Sequence, residues 1–130
     1  MSMITDKSQF NEMQSQWSNF SYEELACQHC GSMNLSEEFL IALQELRSAY
    51  GKPMKITSGY RCPDHEIEKR KPNGPGTHCE PGAIDVAVSG EDAWNLIDIA
   101  SSHRWGGIGV NTPSFVHLDR RSRSKTVWKY

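Results

Sequence analysis

The chain has 130 residues, of which 37% are hydrophobic and 23% charged, and a formal net charge of -2. This length fits one compact domain with its own core. The near-neutral charge argues against a nucleic-acid partner, and no apolar run approaches the ~20 residues of a membrane span. The first residues show no basic region followed by an apolar stretch, so we predict no signal peptide and synthesis in the cytoplasm.

The first fifty residues divide into a polar segment and a strong helix. Residues 1–19 are polar with scattered apolar side chains, and we interpret them as an N-terminal arm, loose or containing a short helix, ahead of a domain at 20–130. Ser36 is a good N-cap, and acids at 37 and 38 suit a first helical turn. Gly51 is a natural stop. One apolar helical face between them predicts a helix over 37–50, with Phe39, Leu43, Leu46 and Tyr50 buried.

The rest of the chain is typical of short strands around one more helix. Predicted strands lie at 54–58, 83–88, 107–110, 115–119 and 126–130. Residues 62–77 are rich in proline, glycine and charge, which predicts a long loop with a helical turn near 64–70. Ser89 is predicted to cap a helix with a buried apolar face. The expected fold is α+β, with one or two principal helices on a small, mostly antiparallel sheet.

Three residues could form a catalytic metal site. His78, Asp85 and His117 offer two imidazole nitrogens and a carboxylate, and catalytic zinc sites use three such ligands and keep a fourth position for water. Such a centre activates the water for attack on a carbonyl at neutral pH. The chain holds five histidines and sixteen acids, so residue type alone does not single out these three. The surrounding motifs do.

Several short motifs follow one another along the chain: FSYEEL at 20–25, ITSGYR at 56–61, TH at 77–78, GAID at 82–85, GIG at 107–109 and FVHLD at 115–119. Their order resembles the zinc D-Ala-D-Ala carboxypeptidase family, which groups with lysostaphin-type peptidases and the hedgehog domain. The short, single-domain phage and bacterial members are most similar. The resemblance implies a hedgehog-like fold and one zinc ion per chain, held by His78, Asp85 and His117. It also implies that Arg61 lies over the metal and binds substrate oxygen, where a fixed guanidinium can stabilise an oxyanion.

The segment between the first two predicted ligands departs from the family pattern. Gly76 stands where the family has a serine, and Pro81 where it has a glycine, although Gly82 follows directly. The spacing between His78 and Asp85 is unchanged. We therefore interpret the departure as an altered turn that keeps the ligands in place.

The general base is not evident from the pattern. Many relatives carry an acid or a histidine two or three residues before the last ligand, where this chain has Phe115 and Ser114. Asp119 is our candidate catalytic residue, because residue i+2 of a strand shares the face of His117. It could act on the water or orient a ligand imidazole. The alternatives lie in the long loop, at Asp64, His65 and Glu66.

Four cysteines have an open role. In a cytoplasmic product they are expected to be reduced. The C-x-x-C of Cys27 and Cys30 could be half of a structural zinc site, a redox pair or neither, because no second C-x-x-C accompanies it. Cys62 and Cys79 follow Arg61 and His78, and could pair if the long loop folds back.

The predicted function is hydrolysis of a peptide bond in peptidoglycan stem peptides by a zinc metallopeptidase, either a carboxypeptidase or an endopeptidase. The expected partner is the peptidoglycan peptide, with no nucleic acid and no membrane span, and the chain is expected to be a monomer. A phage endolysin or wall-remodelling enzyme that reaches the cell wall after release would fit the small size. The alternative is a catalytically inactive, zinc-stabilised binding module of the same fold.

Overall fold

The part of the chain that the structure describes contains seven strands and five helices. The computed structural model describes residues 2–72, 74, 76–79, 82–122 and 124–130. The strands are β1 (Met3–Ile4), β2 (Leu35–Ser36), β3 (Ile56–Ser58), β4 (Ala83–Val86), β5 (Gly107–Asn111), β6 (Phe115–Asp119) and β7 (Thr126–Lys129). The helices are α1 (Lys7–Glu12), α2 (Tyr22–Leu25), α3 (Glu37–Tyr50), α4 (Glu66–Lys69) and α5 (Gly90–Ser102), with a 3-10 turn at Gln14–Trp17.

The main sheet has five strands in the order β3-β4-β6-β5-β7. Its pairs are antiparallel except for β5 and β7, which run parallel, and β1 and β2 form a separate antiparallel ribbon. The predicted α+β fold with a small, mostly antiparallel sheet is confirmed. Strands β3 and β4 are shorter than predicted, beginning at Ile56 and ending at Val86, although the Ala87 N–H still bonds to the Lys55 carbonyl.

The two long helices begin and end close to the predicted residues. The Ser36 hydroxyl accepts a hydrogen bond from the Phe39 N–H at 3.0 Å, and Gly51 ends α3 in the left-handed conformation at φ 76°. The predicted helix over 37–50 is therefore confirmed. Ser89 occupies the N-cap position of α5, but its side chain makes no capping hydrogen bond. The predicted N-cap position of Ser89 is therefore confirmed, but without the side-chain hydrogen bond, and the acids in the first turn of α5 are its favourable N-terminal feature.

The two faces of the main sheet carry different kinds of side chain. Along β4 and β6 the alternate residues Ile84, Val116 and Leu118 are fully buried in the hydrophobic core, together with residues of α3 and α5. Because successive side chains of a strand point to opposite faces, Asp85 and His117 lie on the other face. The sheet thus separates the core from a layer of polar side chains.

The N-terminal segment is packed against the rest of the chain. Phe10 and Trp17 are fully buried in the same core, with ring centroids 5.5 Å apart, and the Trp17 indole donates to the Phe10 carbonyl. Strand β1 pairs with β2, just before α3. The short-helix alternative for residues 1–19 corresponds to α1. The boundary between an arm and a domain at residue 20 stays a prediction.

None of the helices in the described part of the chain combines the length and apolar character needed to cross a membrane.

A pair of tryptophan substitutions tests how much the N-terminal segment contributes to stability. We expect Trp17→Ala to lower the free energy of unfolding by about 3–5 kcal/mol, because it empties a fully buried site. Trp94 is 73% exposed, so the matched variant Trp94→Ala should change stability by about 0.5 kcal/mol or less. Chemical denaturation measures both. Equal effects would show that residues 1–19 do not belong to the cooperative core.

Candidate metal centre

Three side chains converge on the polar face of the sheet. Asp85 on β4 lies directly opposite His117 on β6, and His78 reaches the same point from the loop before β4. The Nδ1 atom of His117 is 3.2 Å from both His78 Nε2 and Asp85 Oδ1, and the last two atoms are 3.3 Å apart. All three side chains are buried. The structure therefore brings together the three residues predicted from the sequence.

Hydrogen bonds fix which nitrogen of each imidazole faces this point. The His78 Nδ1–H donates to the Gly59 carbonyl at 2.7 Å, and the His117 Nε2–H donates to the Asp119 carboxylate at 2.8 Å. In a neutral imidazole the other nitrogen then carries a lone pair. His78 Nε2 and His117 Nδ1 therefore present lone pairs to each other and to Asp85.

This arrangement fits a zinc ion. Three acceptor atoms separated by 3.2–3.3 Å repel one another unless a proton or a cation lies between them. Ligand atoms about 2.0–2.1 Å from a tetrahedral zinc stand about 3.3 Å from one another. Two imidazoles and one carboxylate, each oriented by an outer hydrogen bond, are a donor set that zinc accepts. The three residues could thus hold the metal and leave one position open.

The ionisation of the three side chains responds to burial and to their mutual contacts. Burial lowers the pKa of His78, and the positive charges of Arg61 and His117 lower it further. Burial would also lower the pKa of His117, but its contacts with the Asp119 and Asp85 carboxylates, which favour the protonated imidazole, outweigh burial and raise it. Burial would raise the pKa of Asp85, yet the contacts with His117 and His78, which donate to this carboxylate when they are protonated, hold it well below its usual range. A bound cation therefore competes mainly with a proton on His117.

Arg61 is held beside the three ligand atoms. Its Nη2 lies 3.4 Å from Asp85 Oδ2, its Nη1 donates to Glu68 at 3.1 Å, and its Nε donates to the Ser58 hydroxyl at 3.2 Å. A guanidinium has five N–H groups, so two remain for a ligand. The Arg61 backbone N–H donates to the His78 carbonyl at 3.0 Å. The SGYR motif at 58–61 therefore orients His78 and also fixes the position of the Arg61 guanidinium.

Glu68 is a member of the site that the sequence did not reveal. Its carboxylate is 1% exposed and accepts from Arg61, from Lys71 at 2.9 Å and from the Gly76 N–H at 2.7 Å. Burial would raise the pKa of Glu68, but these hydrogen bonds lower it to about 2. One of several acids in a charged loop, Glu68 has an i, i+3 relation to Lys71 as its only sequence signal. Its burial depends on the tertiary fold.

The other loop candidates for a base lie elsewhere. His65 caps α4 by accepting from the Ile67 N–H, and Glu66 is an exposed partner of Arg70. Asp64 is exposed as well. None of these three side chains lines the pocket that opens onto the ligand atoms.

Asp119 is engaged on both sides. Its carboxylate accepts from His117, from Arg121 Nη2 at 2.7 Å and from Arg121 Nε at 2.8 Å, and it is fully buried. Burial would raise its pKa, but the Arg121 guanidinium and then His117 lower it below its usual range. Of the two roles predicted for Asp119, these contacts favour orienting the His117 ring.

Two glycines of β5 make room for this layer. A Cβ atom at Gly107 would collide with the Asp119 carboxylate, and one at Gly109 would lie 2.7 Å from the Trp128 indole. Because Gly109 has no side chain, Trp128 on β7 packs against His117, with ring centroids 5.2 Å apart. The glycines of the GIG motif at 107–109 are therefore explained by the lack of space for a side chain at either position.

The altered turn lies partly outside the described residues. Pro81 is not among them. On either side, the Cys79 N–H donates to the Gly76 carbonyl at 3.0 Å, and the Gly82 N–H donates to the Thr77 carbonyl at 2.9 Å. Gly82 has φ 121°, a conformation that favours glycine. The changed pattern leaves His78 and Asp85 within reach of each other.

A pocket of about 520 Å³ opens onto the ligand atoms. Its polar lining includes Arg61, His78, Asp85, His117, Thr77, Lys71 and Arg121, and its apolar lining is Ile67, Phe115, Trp128 and Tyr130. Phe115 occupies one of the positions where the resemblance led us to expect an acid or a histidine, and its ring packs on that of Tyr130 with centroids 5.1 Å apart. The pocket is large enough for a peptide end.

Removing the charge of Asp119 tests its orienting role. We expect Asp119→Asn to weaken zinc binding about 10–100-fold, because the amide no longer fixes the tautomer and orientation of His117 as a carboxylate does. Asp98→Asn on the exposed side of α5 is the matched control and should leave the affinity unchanged. Titration against a competing chelator measures both. An unchanged affinity in Asp119→Asn would contradict the role.

The Glu68 carboxylate should leave a mark on the pH dependence of stability. Its folded pKa of about 2 lies below the ordinary 4.5, so its contribution is complete above 4.5 and is lost as the pH falls toward 2. We expect Glu68→Gln to lower the free energy of unfolding at neutral pH by about 1.5–3 kcal/mol. The difference in the free energy of unfolding between this variant and the wild-type protein should become smaller as the pH falls through that range. Glu66→Gln, an exposed control in the same helix, should follow wild type throughout, and a gap that is constant with pH would contradict the assignment.

Comparison with known proteins agrees with this geometry. A family model described as Peptidase M15 matches residues 18–119 of the chain. No curated protein and no solved structure matches it. Peptidases of this family use zinc, and the match includes the three convergent side chains and Arg61. The matched segment covers most of the sequence, and the chain belongs to the peptidase M15 family, with the zinc D-Ala-D-Ala carboxypeptidase-like fold.

Proposed function

We propose that the protein is a zinc metallopeptidase that hydrolyses a peptide bond in bacterial peptidoglycan stem peptides, as a carboxypeptidase or an endopeptidase. The observation that carries the proposal is the convergence of three lone-pair donors and a fixed guanidinium in one open pocket. A site that kept a fourth, closing ligand would be structural, whereas three ligands facing a pocket suit catalysis.

The chemistry follows from the donor set and its neighbours. When bound by His78, Asp85 and His117, zinc supplies Lewis acidity toward a carbonyl and an activated water. Arg61 offers its two remaining N–H groups to the carbonyl oxygen, where negative charge develops during amide hydrolysis. Asp119 keeps the His117 ring in place, since a displaced ligand would misdirect the attack.

Tyr130 supplies a further hydrogen-bond donor to the pocket. Burial first, and then the negative charge of Asp85, raise the pKa of its hydroxyl. The hydroxyl therefore stays protonated at neutral pH and can donate to a substrate carbonyl or carboxylate. Together with Trp128 and Phe115 it forms an aromatic wall along one side of the pocket.

The charge of the pocket supports an anionic peptide as substrate. Three carboxylates, on Glu68, Asp85 and Asp119, face three cationic side chains, on Arg61, Lys71 and Arg121. A divalent cation then makes the centre positive. Peptidoglycan stem peptides carry free carboxylates, and a positive pocket attracts them.

The setting of this activity is part of the proposal. We propose that the protein acts as a monomer on the cell wall after release from the cytoplasm, in the manner of a phage endolysin or a wall-remodelling enzyme. The similarity to short, single-domain phage and bacterial peptidases, noted from the motifs, supports this setting.

A binding module without turnover is the second candidate. Among the described residues, each carboxylate beside the pocket already has a partner: Asp85 contacts two histidines, Asp119 contacts Arg121, and Glu68 contacts Lys71. Phe115 leaves the usual position of a base apolar. This combination favours a module that binds zinc and peptide without cleaving.

Digestion of purified peptidoglycan separates the two functions. We expect the zinc-loaded protein to release free amino groups and peptide fragments, detected by mass spectrometry, and a chelator to abolish release until zinc is restored. Arg61→Lys should lower kcat/KM about 10²–10³-fold, since a lysine cannot reproduce the fixed donors. Arg70→Lys in the same loop is exposed and should behave as wild type.

The two candidates predict different outcomes of this digestion. Zinc-loaded protein that co-sediments with peptidoglycan but releases nothing would establish the binding module. Release that persists in the chelator and in His117→Ala would contradict a role for the metal centre.

A further inference from the structure

A second cluster of metal-binding side chains lies apart from the pocket. Cys27, His29, Cys30 and Cys62 each place one ligand atom within 4.8 Å of the other three. Cys27 Sγ and Cys62 Sγ are 3.6 Å apart, and Cys62 Sγ is 3.6 Å from His29 Nδ1. None of these residues lines the peptide pocket. The cluster therefore requires its own explanation.

The two separations of 3.6 Å are close to those of ligands around one tetrahedral ion. With Zn–S near 2.3 Å and Zn–N near 2.0–2.1 Å, ligand pairs stand about 3.8 Å apart for two sulfurs and about 3.6 Å for sulfur and nitrogen. All four cysteines of the chain are free. Three thiolates and one imidazole form a common closed zinc set, and soft sulfur ligands select zinc over magnesium or calcium.

The local backbone presents these ligands. The Gly31 N–H donates to the Cys27 carbonyl at 2.7 Å, and Gly31 adopts φ 75°, which turns the chain back and brings Cys30 over Cys27. The Cys27 N–H donates to the Ser32 carbonyl at 2.8 Å. The backbone N–H of Cys62 lies 3.4 Å from Cys27 Sγ and donates to it. A thiolate at Cys27 thus has a backbone donor of its own.

We propose that Cys27, His29, Cys30 and Cys62 bind a second zinc ion, whose role is structural. The chain has one C-x-x-C, which the sequence left without a partner motif. The fold completes the set differently, with a histidine inside the C-x-x-C and a lone cysteine from 35 residues further along. The possible pairing of Cys62 with Cys79 is not formed, because Cys62 faces Cys27 while the Cys79 thiol contacts Glu68 at 3.5 Å.

The position of this site indicates what it stabilises. Cys62 directly follows Arg61, and the Tyr60 N–H donates to the Leu25 carbonyl at 2.8 Å. A metal at the cluster would tie residues 25–31 to residues 59–62. The second segment supplies the Gly59 carbonyl to His78 and the guanidinium to the pocket. The structural zinc would therefore hold the segment that positions Arg61.

Cobalt substitution tests this site independently of any peptidase activity. Thiolate ligands give Co²⁺ intense near-ultraviolet charge-transfer absorption, which a site of two histidines and an aspartate lacks. We expect the cobalt-loaded wild-type protein, prepared under reducing conditions, to show this absorption. Zinc analysis should give about two ions per chain when both sites fill.

The variants assign the absorption to its ligands. Cys30 is exposed, so Cys30→Ser should keep the fold while it abolishes the charge-transfer band and lowers bound zinc by about one ion per chain. Cys79→Ser, which removes the cysteine outside the cluster, should retain the charge-transfer band and the full amount of bound zinc. His117→Ala should lose one zinc but keep the band, because it alters only the pocket.

Several results would overturn the proposal. One is cobalt-loaded wild-type protein without thiolate absorption, and another is equal loss of the band in Cys30→Ser and Cys79→Ser. A Cys27–Cys62 disulfide in protein kept reduced, seen as a loss of two hydrogens by mass, would do the same. An absent peptidase activity would leave the band in place, so failure of the proposed function is distinguishable.

Discussion

The direct pairing of Asp85 with His117 across β4 and β6 is the constraint on which the site depends. Two antiparallel neighbours place opposite residues on one face with little freedom to separate. The carboxylate and the imidazole are therefore fixed relative to each other by the sheet, and not by the loops. His78 alone reaches the centre from a loop. The residue is accordingly anchored twice: its ring donates to the Gly59 carbonyl, and its backbone carbonyl accepts from the Arg61 N–H.

Around this centre, charges are arranged in alternating shells. Each histidine that faces Asp85 is oriented by an acceptor, and each outer acid is in turn neutralised by a base, as Arg121 does for Asp119. Arg61 bridges the centre and Glu68, which Lys71 also contacts. Buried charges are tolerated because every one has an opposite neighbour. Such a network is organised before any ligand arrives, which lowers the cost of binding a cation.

Local signals predicted some parts of this structure well. Helix α3 was predicted from the Ser36 cap, one apolar face and the Gly51 stop. Strands β5 and β6 were predicted from alternating residues on either side of a turn. The metal-ligand candidates came from motif order, since composition offered many other histidines and acids. Features that depend on contacts between residues far apart in the sequence were not predicted. Phe10, Met13 and Trp17 follow at i, i+3 and i+7, which is a helical spacing, but three apolar residues in an otherwise polar segment did not predict that Phe10 and Trp17 would be fully buried. Ser89 satisfies the sequence rule for a cap, but its hydroxyl makes no such bond.

The same limit applies to the candidate sites. Glu68 differs from neighbouring loop acids only in where the fold places it. Cys62 joins Cys27 and His29 because the segment after β3 crosses the turn at residues 27–31, and spacing along the chain carries no trace of that meeting. The general base stays a prediction, and the described carboxylates near the pocket already serve other partners.

The bare glycines of β5 have a consequence for how the sequence can vary. At Gly107 and Gly109, any side chain would occupy space already taken by Asp119 or Trp128. At Ile108, the side chain faces the opposite, apolar side of the sheet, where another aliphatic residue of similar volume can be accommodated. Tolerance to substitution should therefore alternate along this strand with a period of two. A saturation library of β5, scored by the yield of folded protein, would distinguish the face that carries the metal-ligand residues from the core face.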